Sequence, residues 1–383
     1  MSKTVRVFLK LLKAGLWRNT NNNLEIIRIT EQEQAEINEG IDWAYVYRLA
    51  EEQSVIGLVA AGIDNLKANL KLPKAVALQF VAQTLQIEQR NKAMNDFVAD
   101  IVIKMQDIGI RAFLVKGQGV AQCYEDPLWR ASGDVDFFLS NGNYDKSKSL
   151  LSPIASRIDE EKTDISHLAM HLGEWEVELH GSLRGSLWRS VNKGLDDIQD
   201  AIIQNGALRY WMNGNTRIFM PGANEDIVYV FSHILEHFYR GGIGLRQICD
   251  WCRLLWTYRA EINIPLLQKR LLRMGIMTEW KAFAKFAVVE LGMPEEAMPL
   301  YSHKKKWLHK AQLILDYILE TGNFGHNKDL SYQREKSYFA RKVLSFKMVM
   351  HETLKLSRIF PLDAIKSWLV FVRNGIKMVV KGV

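Results

Sequence analysis

Residues 114–138 read LVKGQGVAQCYEDPLWRASGDVDFF, and the fold turns on this stretch. An apolar run from Ile110 to Val115 stops at Lys116-Gly117, and a second run is opened by Asp134-Val135-Asp136. Short apolar runs bounded by turn residues read as strands. Alternate side chains of a strand share a face, so Asp134 and Asp136 project together, about 7 Å apart along the backbone. Paired carboxylates at a strand start suit Mg²⁺, which takes a few acidic oxygens and keeps its other positions for water and phosphate. Gly117, at the strand-to-helix turn, lets a phosphate approach the backbone, and a helix N-terminus favours negative charge. Lys116 and Arg130 supply cations to offset that charge.

Further on, Glu174-Trp175-Glu176-Val177-Glu178-Leu179-His180 alternates polar and apolar residues, the pattern of a half-buried strand. Glu174, Glu176, Glu178 and His180 share one face, and Trp175, Val177 and Leu179 the other.

Lys116-Gly117, Arg130 and Asp134-x-Asp136 together resemble the core motif of the polymerase-beta-like nucleotidyltransferases. Within that superfamily they are most similar to a bacterial group whose pattern runs strand, Lys-Gly, helix, Tyr, Arg and Asp-Ile-Asp. Looser similarity runs from about residue 40 to residue 260. The resemblance implies an α+β chain: a small mixed-sheet core flanked by N-terminal and C-terminal helical regions. It implies transfer of NMP from an NTP, ATP by default, to a hydroxyl acceptor with release of pyrophosphate. Two Mg²⁺ ions would sit on Asp134, Asp136 and a third carboxylate, which the resemblance places at Glu178, with Glu176 as the fallback. Glu178 would act as base or metal orienter for the acceptor hydroxyl. Lys116, Gly117, Arg130, Ser132 and Arg246 would contact the nucleotide. The acceptor stays open among a small molecule, a sugar, a protein side chain and an RNA end. The superfamily's usual turn is Gly-Ser or Gly-Gly, whereas Gly117 is followed by Gln118 and Gly119. That departure favours a rival reading, a nucleotide-binding or interaction module that keeps the fold without catalysis. The joint presence of Lys116, Arg130, Asp134, Asp136 and Glu178 opposes it.

The chain has 383 residues, 48% hydrophobic and 24% charged, ordinary values for a globular protein large enough for several domains. Three cysteines argue against a disulfide scaffold and fit a reducing cytoplasm, the expected location. Residues 5–16, VRVFLKLLKAGL, are broken by Arg6, Lys10 and Lys13 and read as a short amphipathic helix rather than a signal peptide. Trp368 to Val380, interrupted by Arg373 and Lys377, is too short to span a membrane. The net charge of +7 is uneven: residues 333–383 hold eleven Lys and Arg against three Asp and Glu. This basic segment is expected either to lie as an outer face on helices packed against the body or to contact anionic lipid or RNA.

The expected organisation is a loosely attached N-terminal arm (1–23), an N-terminal helical region (24–109), the nucleotidyltransferase core (110–222), a C-terminal helical domain (223–332) and a basic helical tail (333–383). Residues 31–65 read helical. Pro73 opens a long helix stopped by Gly109. Strands are expected at 110–115, 135–140, 166–172, 175–180 and 217–220, with helices at 118–124 and 144–151. From Asn224 onward the pattern is helical, broken at Gly241-Gly242 and Gly244.

Other constellations compete. His233-Ile-Leu-Glu236-His237 matches the H-x-x-E-H of inverted zinc peptidases, but no convincing third ligand follows. Cys249-Asp-Trp-Cys252 is a C-x-x-C within an apolar helix pattern, where free cysteine is ordinary core. Both matches read as chance, so no zinc is expected. Arg246 and Asp250 lie four apart on a helix, which permits a local salt bridge, while Arg246 also stays open as a nucleotide contact. Lys304-Lys305-Lys306 reads as a solvated helix start.

Overall fold

The computed structural model describes residues 1–18, 40–66, 72–204, 206–325 and 338–380. The end of the expected arm (Asn21-Asn22-Asn23), the acidic start of the 31–65 helix and the junction at residue 333 lie outside the described residues.

The chain is α+β. A seven-stranded mixed sheet is built from β1 (Ala112–Val115), β2 (Asp134–Leu139), β3 (Arg157–Ile158), β4 (His167–Leu172), β5 (Trp175–His180), β6 (Leu208–Asn213) and β7 (Thr216–Pro221), in the order β3-β4-β5-β2-β1-β7-β6. β2 pairs in parallel with β5 and antiparallel with β1, and β1 pairs in parallel with β7. β4–β5 and β6–β7 are antiparallel hairpins. Both close with a two-residue turn whose glycine has positive φ, Gly173 at 62° and Gly214 at 57°.

Among the described residues, four helices precede the sheet: α1 (Lys3–Leu16), α2 (Trp43–Glu52), α3 (Ile56–Leu66) and α4 (Lys74–Asp107). The helix expected over 31–65 is broken by Ser54, which takes a left-handed φ of 56°. α4 runs as its periodicity predicts and ends before Gly109, whose φ is 74°. Its Met94, Val98, Ile101, Val102 and Met105 pack on Val135, Phe137, Leu139, Val177 and Leu179 from one face of the sheet.

The other face is covered by α8 (Ala223–Arg240) and α9 (Leu245–Thr257), which bury Phe113, Val115 and Phe138 in the larger core. Between the strands run α5 (Gly117–Ala121), α6 (Asn141–Leu151) and α7 (Arg189–Ile203). α10 (Ile264–Met274), α11 (Met277–Leu291), α12 (Lys305–Thr321), α13 (Tyr338–Ile359) and α14 (Pro361–Val380) complete the chain.

Two terminal segments are more integrated than their sequences imply. α1 is no loose arm. Phe8, Leu11, Leu12 and Trp17 are fully buried, and Trp17 Nε1 donates to the Leu291 carbonyl at 2.6 Å. α1 crosses α3 at glycines: a Cβ on Gly15 would fall 1.8 Å from the Leu58 oxygen, and one on Gly62 would fall 1.9 Å from the Leu11 oxygen. At the other end, Leu356, Ile359, Phe360 and Ala364 of α13 and α14 are buried in the main core. At that joint Glu279 of α11 is fully buried, accepts from Tyr239 OH at 3.1 Å and faces Asp363 of α14. Among the described residues, no helix is long and apolar enough to cross a membrane.

Candidate active site

Because Val135, Phe137 and Leu139 face α4, Asp134, Asp136 and Phe138 face the opposite side of the sheet. The parallel register then fixes their partners: Asp136 is level with Glu178, and Asp134 with Glu176. The β4–β5 hairpin sets His167 level with His180 and Ala169 level with Glu178. Asp134, Asp136, Glu178, His180 and His167 therefore form one polar patch. Asp134, Asp136 and Glu178 each bring one carboxylate oxygen within 4.8 Å of the others. Glu176, on the same face, stands one rung away beside His171.

Lys116 enters the patch from the end of β1. Its φ of 58° is left-handed, and Gly117 follows with a φ of 38°. A non-glycine residue in that region is strained by about 1–3 kcal/mol, a cost that persists where the surroundings demand a particular direction. The direction here brings Lys116 Nζ to 2.6 Å from Asp136 Oδ1. His180 Nε2 lies 2.8 Å from the same oxygen and 3.3 Å from Glu178 Oε2, and His167 Nε2 lies 3.2 Å from Glu178 Oε2.

The charges are mutually tuned. Burial disfavours the Lys116 ammonium, but Asp136 in contact, with Tyr229, Glu178 and Asp134 behind it, holds it well above the usual lysine range. Burial raises the Asp136 carboxyl above the usual range, and Asp134 adds to the effect, while Lys116 and His180 oppose it. Burial also works against the Glu178 anion, but bonds to His167 and His180 and the charge of Lys116 hold that carboxyl far below its ordinary range. His180 loses by burial and gains more from Asp136 and Glu178, so it stays protonated above its ordinary value.

Arg130 is placed differently from an open phosphate ligand. Its guanidinium grips Asp250 of α9 through two bonds, Nε to Oδ1 at 3.0 Å and Nη2 to Oδ2 at 2.6 Å, and donates to Ser132 Oγ at 2.8 Å. Tyr124 OH donates to the same Asp250 at 2.7 Å. Ser132 Oγ donates to Gln118 Oε1, and Gln118 Nε2 donates to Asn91 Oδ1. Asp250 thus pairs with Arg130 across the fold and not with Arg246 along its own helix. Arg246 donates from Nη1 to the Ala131 carbonyl at 2.7 Å, and its Nε has no hydrogen-bond partner among the described residues. Burial and the charge of Arg130 lower its pKa.

Two clefts meet at Lys116, Asp134 and His233. The smaller, about 50 Å³, is lined by Gly117, Arg130, Asp136, Arg246 and Asp250 among others. The larger, about 820 Å³ and open to solvent, carries Glu178, His167, His180, Lys162 and Tyr229. His233 and His237 meet edge to face with their Nε2 atoms 3.1 Å apart and line the larger cleft from α8, with Glu236 accepting from the Ser186 backbone N–H. Cys249 and Cys252 are fully buried in α9.

His167, Tyr124, Gln118 and Asn91 lie outside the sequence-derived set. His167 had a usable signal: a two-residue turn at Gly173-Glu174 fixes the hairpin register, which puts His167 opposite His180. Tyr124 had a signal in the Tyr of the strand, Lys-Gly, helix, Tyr, Arg pattern, whereas the role of Asn91 depends on contacts across a long sequence separation and left no local mark.

The family model described as uncharacterised nucleotidyltransferase matches residues 39–288. The chain belongs to this family. The match takes in the whole sheet, the carboxylate patch and both residues of the Arg130–Asp250 pair, so the nucleotidyltransferase segment contains the site entire. α1, α12, α13 and α14 lie outside the nucleotidyltransferase match. No curated protein and no solved structure matches the chain.

Proposed function

We propose that the chain is a metal-dependent enzyme of the polymerase-beta-like kind, which moves NMP from an NTP to a hydroxyl acceptor and releases pyrophosphate. The observation that carries this reading is the convergence of Asp134, Asp136 and Glu178 from two parallel strands, beside Lys116 and at the meeting of two clefts. The donor set fits Mg²⁺: three carboxylates, hard oxygen ligands, face one lysine, so the patch carries surplus negative charge. Asp134, Asp136 and Glu178 would hold the ions, which when bound offset charge on the phosphates and on the attacking and leaving oxygens.

In this reading the triphosphate lies at the mouth of the smaller cleft, beside Lys116 and Asp134. Arg246 offers it an unpaired Nε–H, and Lys116 turns from Asp136 to phosphate as substrate arrives. Arg130 acts through position: with Asp250 and Ser132 it fixes the loop that launches β2. The acceptor enters the larger cleft. Its hydroxyl oxygen attacks the α-phosphorus, and the bond to the β-phosphate bridging oxygen breaks. Pyrophosphate leaves with that electron pair, and the hydroxyl proton goes to Glu178 or, where Glu178 serves only to orient a metal, to solvent. Such reactions rest mostly on positioning and charge stabilisation, which is what a rigid sheet supplies.

One observation favours the rival reading of a binding module without turnover. Gln118, where the superfamily has a small turn residue, is buried and tied to Asn91 and Ser132. A single experiment separates the two. The protein is incubated with Mg²⁺, each NTP labelled on the α-phosphate, and cell extract as acceptor pool. Label transfer that is lost in Asp134→Asn supports the enzyme. NTP binding without transfer from any of the four nucleotides supports the module.

A further inference from the structure

We propose that His167, Glu178 and His180 form a second metal site, for a borderline divalent ion of the Zn²⁺ class, on the acceptor side of the carboxylate patch. The site deepens the nucleotidyl-transfer reading and shares Glu178 with it.

The geometry comes from the hairpin. His167 and His180 are ladder partners on β4 and β5, with ring centroids 4.8 Å apart. Both Nε2 atoms converge on one oxygen, Glu178 Oε2, at 3.2 and 3.3 Å. Nitrogen and oxygen ligands about 2.0–2.1 Å from a tetrahedral ion stand about 3.3 Å from one another. Two histidines and one glutamate are also a donor set that catalytic zinc uses, with the fourth position left for water or substrate. All three residues line the larger cleft, so that fourth position opens toward the space assigned to the acceptor.

His180 Nε2 faces two carboxylate oxygens, Asp136 Oδ1 at 2.8 Å and Glu178 Oε2 at 3.3 Å, and can carry only one proton. An ion between Glu178 Oε2 and the two Nε2 lone pairs serves all three donors at once. A neighbouring group makes the contrast. Asp159, His171 and Glu176 also bring donor atoms within 4.8 Å, but Arg157 takes the Asp159 carboxylate at 2.8 Å. The lysine near the proposed site rests on Asp136, not on Glu178. The proposal departs from the expectation that the protein takes no zinc, which rests on the motifs on α8 and α9; this donor set lies on strands. An ion here would act as a Lewis acid on an acceptor hydroxyl bound at its open position.

The test uses the full-length, metal-free protein titrated with Co²⁺, whose visible absorption reports a four-coordinate site. Wild type and Asp134→Asn should each take up a single Co²⁺ with that absorption. His167→Ala should bind at least about tenfold more weakly, with circular dichroism verifying its fold. His167→Cys, which restores a ligand, should regain binding and add a thiolate-to-cobalt band. The proposal is overturned if wild type shows no such absorption, if His167→Ala keeps it, if Asp134→Asn loses it, or if His167→Cys fails to restore it. Label transfer measured with Mg²⁺ alone judges the reaction itself, so the two readings fail separately.

Discussion

At the scale of single residues, the site divides by what each carboxylate touches. Asp136 is buried against Lys116 and His180, whereas Asp134 has one side on each cleft. Both are proposed metal ligands. Asp134→Asn and Asp136→Asn should each lower label transfer at least about 100-fold, since loss of a mere outer partner of a metal ligand costs 10–100-fold. Transfer at the wild-type rate in both variants would remove the proposal. Glu178 and Glu176 make a sharper pair, because only Glu178 is level with Asp136. Glu178→Gln should lose turnover while NTP still binds, and Glu176→Gln should be much milder. Measured by nucleotide titration and turnover, the opposite ranking would place the reacting centre one rung nearer the start of β5.

Among elements, much of the sheet was legible and some was not, for identifiable reasons. β1, β2, β4 and β5 are runs buried on at least one face, so their apolar residues announce them. β6 was missed because both its faces are part-exposed: Tyr210 and Met212 stand in solvent, and the alternation is blurred by Arg209 and Trp211. Asn213-Gly214 was the available turn signal. β3 is two exposed residues long and carries no pattern at all. The parallel pairing of β2 with β5, which builds the site, joins strands far apart in sequence and leaves no local trace. Arg130 illustrates the same limit. Its presence was legible, but its partner Asp250 comes from a helix 120 residues later. Arg130→Met should therefore destabilise the fold by about 3–5 kcal/mol, as expected when one member of a buried ion pair is removed. A denaturant midpoint close to wild type would show that the pair does not hold α9 to the sheet.

For the whole molecule, the two ends of the chain matter more than their composition implies. α14 is tied down beside Glu279, whose carboxyl burial and the nearby Asp363 push up to about 8. A native pKa above the unfolded value means that the folded state keeps a proton the unfolded state releases. Stability is therefore fully present below about pH 4.5 and is lost as pH rises toward about 8. Glu279→Gln should gain on wild type across that window by a few kcal/mol, read as a growing difference in melting temperature. A difference independent of pH would mean that the joint does not hold a proton. On its outer side α14 exposes Leu362, Ile365 and Leu369 next to Lys366 and Arg373. The basic tail should then bring the protein down with anionic vesicles at low salt and release it at high salt, because exposed charges are screened within about 10 Å at 0.1 M. Absence of co-sedimentation at low salt would leave the tail a purely structural cover. The sheet itself carries a last consequence. Lys116, Asp134 and Asp136 arrive on one pair of strands, and His167, Glu178 and His180 on a separate local hairpin, so the two halves of the site meet only along the β2–β5 seam. A hairpin forms early and cheaply, whereas this docking must close a long loop. Any cation gripped between Asp136 and Glu178 is then a clasp: its binding energy becomes docking energy, and a two-residue slip, which would set Glu176 against Asp136, is penalised in proportion. Amide hydrogens along that seam should exchange more slowly with Mg²⁺ present, while those in the β6–β7 hairpin should not respond.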